Sequence, residues 1–218
     1  MALSKIQSES INLADTFAFT GTVSGAGDPS LVHLQTTTLS SGAATVSFGN
    51  TLFTSTYSSY YLNAVYHFDT DNVKTYAVFL EADGTTEING SSDYKYKNTA
   101  AMGSYATSTY AFMFFAQNVG SANNHMESGV HLQAYIHTLI AGADAGNTGA
   151  SIRPDVMTFY SYANTSSAVD SRQMGARLRL INGNTPVVGT HAIGGLKLYP
   201  HTSANFISGS KFSLYGVK

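Results

Sequence analysis

Seven histidines are the first residues that could do chemistry. His125, His131 and His137 recur every six positions. In an extended chain six residues cover roughly 20 Å, so His131 and His137 share a face but not one metal ion. One histidine from each of several copies, gathered on a symmetry axis, remains open. Gln133 and Tyr135 fall on the same face as His131 and His137. These four side chains combine flat apolar area with polar tips, and they read as a subunit contact face. Asp69, Asp71 and Asn72 open like a calcium loop, but an EF-hand needs Gly at its sixth position and an acid at its twelfth. Lys74 and Leu80 stand there instead, so the segment reads as a polar turn. Ser, His and Asp are all plentiful, yet no G-x-S-x-G elbow occurs and no phosphate loop of the G-x-x-x-x-G-K type. Glu81, Asp83 and Glu87 cluster around a turn, where carboxylates are ordinarily solvated. No catalytic residue, cofactor site or metal site is expected, and the chain reads as non-enzymatic.

Tyrosine is the surplus residue, with 14 copies. Many sit among Ser and Asn, as in Ser55 to Tyr61, Tyr94 to Tyr96 and Ser161 to Asn164. Tyr and Ser together build recognition surfaces at low entropic cost. Tyr57, Tyr60 and Tyr61 are read as a receptor-facing loop, with a surface glycan as its partner. Ordinary strand composition explains tyrosine equally, because its β propensity is high.

The elements that would carry these residues are strands. Val130, Leu132, Ala134 and Ile136 alternate with His131, Gln133, Tyr135 and His137. Met174, Ala176, Leu178 and Leu180 alternate with Gln173, Arg177 and Arg179. Leu196 and Leu198 alternate with Lys197 and Tyr199, and Phe212 and Leu214 with Ser213 and Tyr215. Further candidates run from Tyr60 to Phe68, Thr75 to Glu81, Tyr110 to Ala116 and Asp155 to Tyr162. Turn signals separate them, among them Asp83-Gly84, Asn89-Gly90 and Asn182-Gly183. Roughly ten short strands without crossover helices predict an all-β fold: an antiparallel β-sandwich, jelly-roll-like, with a short N-terminal arm. Residues 1–28 form the expected arm, ended by the Gly/Pro-rich break before residue 29, and residues 29–218 the sandwich. Ile6, Ile11, Leu13, Phe17 and Phe19 would anchor that arm on a partner.

Composition narrows the function. Charged residues make up only 11% of the 218 residues, and the net charge is −2. Typical soluble domains carry about 25% charged residues. A surface with so little charge repulsion favours packing against copies or partners. No basic run offers a phosphate footprint, so nucleic acid is not an expected partner. The absence of cysteine excludes disulfides and thiolate chemistry. No apolar run approaches the roughly 20 residues of a membrane helix, and the first residues lack the apolar region of a signal peptide. Synthesis in a cytoplasm, without membrane insertion, follows as the expectation.

Both ends of the chain resemble one family. The opening, Met1 to Gly27, is similar to the leader of small virion proteins of tailed phages, especially marine and cyanobacterial ones. The ending, Ile193 to Tyr199 and then Asn205 to Lys218, resembles that family's final strands, with Ser208-Gly209 leading to Leu214-Tyr215-Gly216. Val46 to Asn50 and Tyr57 to Tyr61 are similar to a middle segment, and Met174 to Leu180 matches less closely. The resemblance implies a virion structural protein with a β-sandwich body and frequent trimerisation. It implies no catalytic residue. It leaves open a tail-associated fibre or receptor-binding protein, docked by its arm on other virion proteins, or a capsid decoration (cement) protein on the major capsid protein. A carbohydrate-active enzyme or a lectin-like module is the remote alternative.

Overall fold

A computed structural model describes residues 30–70, 73–91, 94–98, 109–119, 129–137, 155–163, 169–178, 193–201 and 203–218. The arm residues Ile6, Ile11, Leu13, Phe17 and Phe19, and also His125, Asp71 and Asn72, lie outside them. Twelve strands follow one another: β1 Leu31–Thr38, β2 Val46–Phe48, β3 Ser59–Tyr66, β4 Val73–Leu80, β5 Tyr94–Asn98, β6 Thr109–Tyr110, β7 Met113–Val119, β8 Val130–His137, β9 Asp155–Ala163, β10 Val169–Leu178, β11 Gly195–Pro200 and β12 Lys211–Val217. The described residues contain no helix, and so none that could cross a membrane.

The strands form two antiparallel sheets packed into a sandwich. One has the order β1-β12-β3-β8-β9-β10-β5-β6, the other β2-β11-β4-β7. Four nested antiparallel pairs generate the core of this arrangement: β1 with β12, β2 with β11, β3 with β8 and β4 with β7. A long hairpin rolled up in this way is a jelly roll, and successive pairs alternate between the two sheets. The remaining strands, β9, β10, β5 and β6, extend the first sheet beyond β8.

Period-two patterning decides which face is buried. In β8, Val130, Leu132, Ala134 and Ile136 are fully buried, while the four residues between them are exposed. In β3, Tyr60, Leu62, Ala64 and Tyr66 point the same way, and register sets Leu62 beside Ala134 and Leu214. The small sheet contributes Phe48, Leu196, Leu198, Ala77 and Phe79 from the opposite side.

One aromatic cluster closes the sandwich. Phe206 lies 5.3 Å from Phe68, 5.3 Å from Tyr66 and 5.1 Å from Phe212, and Tyr66 stacks on Phe212 at 5.4 Å. Burial pushes the Tyr66 hydroxyl strongly upward in pKa, and it stays a neutral hydrogen-bonding group. It bonds Thr75 Oγ1 at 2.7 Å, which ties β3 of the large sheet to β4 of the small one. Thr75→Val should therefore cost about 1–3 kcal/mol, because it strands a buried hydroxyl rather than removing bulk. The double variant Tyr66→Phe/Thr75→Val should recover much of that loss in denaturant titrations.

Candidate functional site

The outer face of the large sheet carries a row of partly exposed rings. Register lines up Tyr215 of β12, Tyr61 of β3, Tyr135 of β8 and Met157 of β9, with His33 of β1 at the near end. The rings touch in sequence. His33 to Tyr215 is 5.3 Å, Tyr215 to Tyr61 is 6.0 Å, Tyr61 to Tyr135 is 5.0 Å and Tyr135 to Phe159 is 6.3 Å. Tyr135 is 49% exposed, Met157 46% and Phe159 39%. Scattered exposed apolar side chains are ordinary, but a contiguous row across five strands marks a contact surface.

A second row runs beside the first. Ser213, Asn63 and Gln133 are register partners two residues along their strands, and Phe159 follows Gln133. At the β1 end, Thr36 Oγ1 meets Ser213 Oγ at 2.8 Å and His33 Nε2 at 2.8 Å. A band of rings is thus bordered by hydroxyls and amides. Partial burial, and then the neighbouring Tyr135 and Tyr215 hydroxyls, raise the Tyr61 pKa above its ordinary value. The phenol stays neutral and able to donate a hydrogen bond.

The residues expected to form a contact face, His131, Gln133, Tyr135 and His137, are all exposed on β8 and on this surface. The expected receptor-facing loop is corrected. Tyr60 is 1% exposed and belongs to the core. It stacks on Phe53 at 4.3 Å, and its hydroxyl donates to the Thr54 carbonyl at 3.0 Å. Tyr57 is half-buried, packed edge-on against Tyr60 and seated over Gly216. Only Tyr61 faces outward. The reason is register: β3 begins at Ser59, so position 60 points in and position 61 out. Tyr94, another tyrosine of the Ser/Tyr/Asn kind, is likewise buried, accepting the Phe79 N–H at 2.9 Å and donating to the Ile88 carbonyl at 2.7 Å. The missed members of the row are His33, Tyr215, Met157 and Phe159. Alternation hinted at Tyr215, opposite Phe212 and Leu214, but nothing local joins it to Tyr61.

The acidic candidates are structural. Asp69 accepts from the Asn205 backbone N–H and from its side-chain amide, both at 2.8 Å, which holds its carboxyl below the usual range. Asp83 accepts from the Thr85 and Thr86 N–H groups, each at 2.8 Å, and from the Thr86 hydroxyl. These bonds depress its pKa strongly, Thr86 contributing most. The turn depends on Gly84, at φ +73°. Glu87 pairs with Lys197 at 2.5 Å. Among the described residues no three His, Asp or Glu side chains converge as a metal site.

A lowered carboxyl pKa means stability present above the ordinary carboxyl range and lost as pH falls through the depressed value. Asp69→Asn should lower Tm at pH 7 by about 2–4 °C, the size of a 1 kcal/mol loss at an exposed site. The gap from the parent protein should close as the pH falls below about 4. Thermal scans from pH 7 to pH 2 check this.

One cleft of about 360 Å³ lies by the small sheet, lined by Thr45, Glu87, Lys197, Tyr199, Pro200 and Asn205 among others. Burial, then the Glu87 charge, pushes Tyr199 up to about 12. Its carboxylate, ammonium and amide are already engaged with one another or with Asp69, so the cleft ranks behind the aromatic row. No protein-family model matches the chain, and no curated protein and no solved structure matches it.

Proposed function

We propose that this chain is a non-enzymatic surface protein of a tailed-bacteriophage virion, of the tail-associated fibre or receptor-binding type. The observation that carries the reading is the exposed row from His33 through Tyr215, Tyr61 and Tyr135 to Phe159, built on strands rather than on loops. Rigid strands present rings without the ordering cost of a mobile loop, which suits a protein whose task is contact. Residues 1–28 anchor the chain to other virion proteins, and the bodies associate as a homotrimer. The resemblance of both chain ends to phage virion proteins supports the reading, as does a body with little surface charge.

A capsid decoration role is the second reading. The breadth of the eight-stranded face favours it, because a cement protein needs a wide flat base. Copy number separates the two. In stained gels of purified virions of the encoding phage, a few copies per particle are expected of a tail protein, and hundreds would reject the fibre reading in favour of decoration. Absence of the protein from virions rejects both. Turnover of a polysaccharide by the purified chain rejects the non-enzymatic role.

A further inference from the structure

We infer that the aromatic row on the outer face of the large sheet binds a neutral, extended carbohydrate chain. The inference rests on reading that face as the contact surface and adds the chemistry of its occupant.

Two parallel rows carry the argument. Tyr215, Tyr61 and Tyr135 offer apolar rings tilted 39° and 43° to one another, and Asn63 and Gln133 beside them offer amides that both donate and accept, while Ser213 is buried with its hydroxyl against Thr36. A sugar ring has the matching pair of surfaces, an apolar C–H face and an edge of hydroxyls. A chain laid along the row would stack on the rings while its hydroxyls meet the amides.

Spacing agrees. Neighbouring strands lie about 4.8 Å apart, so a row from β1 to β9 spans four gaps, or roughly 20 Å. Successive ring centres are 5.0 to 6.3 Å apart. Several consecutive sugar units can rest on it, each adding a modest stacking contact.

Charge disfavours the other polymer that stacks on aromatic rows. Single-stranded nucleic acid needs cations along its backbone as well as rings. The row from Tyr215 through Tyr61 and Tyr135 to Met157 and Phe159, with Asn63 and Gln133 beside it, holds no Lys, Arg, Asp or Glu; Lys211 stands a further register step away, opposite Val65, and His33, His131 and His137 border the row. A row of rings and amides without Lys or Arg fits an uncharged polymer. An added peptide strand would have no free backbone ladder to join on the face of a sheet. A second copy of this chain is the remaining occupant, and the experiment separates it.

Affinity electrophoresis of the full chain in native gels containing mannan, galactomannan or dextran tests the inference, with heparin as the anionic arm. Retardation is expected in at least one neutral polymer. Tyr135→Ala and Tyr61→Ala should each weaken it by about tenfold or more, Tyr135→Phe should preserve it, and Lys74→Ala on the small sheet should leave it unchanged. Tyr135 is half exposed, so its truncation leaves the fold intact, which an unchanged Tm would verify. Retardation by heparin alone, by no neutral polymer, or undiminished by Tyr135→Ala overturns the inference. If light scattering instead finds that Tyr135→Ala dissociates an oligomer while no polymer binds, the face is a self-contact. Carbohydrate binding then fails while the contact reading stands.

Discussion

Phe206→Ala should cost the protein about 3–5 kcal/mol and lower its Tm by about 10 °C or more. Phe206 is fully buried and touches three other aromatic rings, so truncation removes apolar burial and leaves a ring-sized void. The backbone around the ring, which Ala keeps, is itself paired. Phe206 exchanges backbone hydrogen bonds with Ala43, each at 2.9 Å, and forms a bridge with Phe68. The ring therefore clamps the segment before β12 against two loops at one end of the sandwich. Equilibrium denaturation by guanidinium, with an unchanged slope and a lower midpoint, is the expected signature. A loss below 1 kcal/mol would show that neighbouring rings collapse into the void.

The second large effect comes from the smallest residue. Gly195→Ala should destabilise by about 3 kcal/mol. Gly195 opens β11, which lies between β2 and β4. An added Cβ would stand 2.4 Å from the Phe48 carbonyl oxygen and 2.9 Å from Leu80 Cδ1. A backbone oxygen in a paired strand has no rotamer to escape into, so the ladder itself must shift. Amide exchange should report this locally, with faster exchange at Leu196 and Leu198 than in β8. Gly209 is the informative contrast. Its φ is +87° and nothing lies within 4 Å of its would-be Cβ. Gly209→Ala should cost only about 1 kcal/mol, all of it backbone conformation.

Both effects concern the scaffold, and the candidate site depends on that scaffold in a specific way. The row of rings exists only while β1, β12, β3, β8 and β9 keep their register. A slip of one residue in β3 would send Tyr61 inward and replace it with Tyr60 or Leu62. The buried aromatic cluster joins Tyr66 of β3 to Phe212 of β12, so distant core changes there would also blunt any contact made through the face.

The sequence by itself determined that this protein is built of strands, and along most strands which side of each is apolar. Alternation over Val130 to His137, or over Phe212 to Tyr215, is a local property, legible without knowing what packs against it. It missed β1, β2 and β5, where an edge position, shortness or a polar composition weakens the pattern. It also misassigned Tyr57 and Tyr60, since a cluster of tyrosines does not reveal where a strand begins. Only the tertiary structure decided the nesting of β1 with β12 through β4 with β7, and with it the meeting of His33, Tyr215, Tyr61 and Tyr135. Those residues come from four separate strands, and hydrogen-bonded register, a long-range property, sets which of them stand side by side.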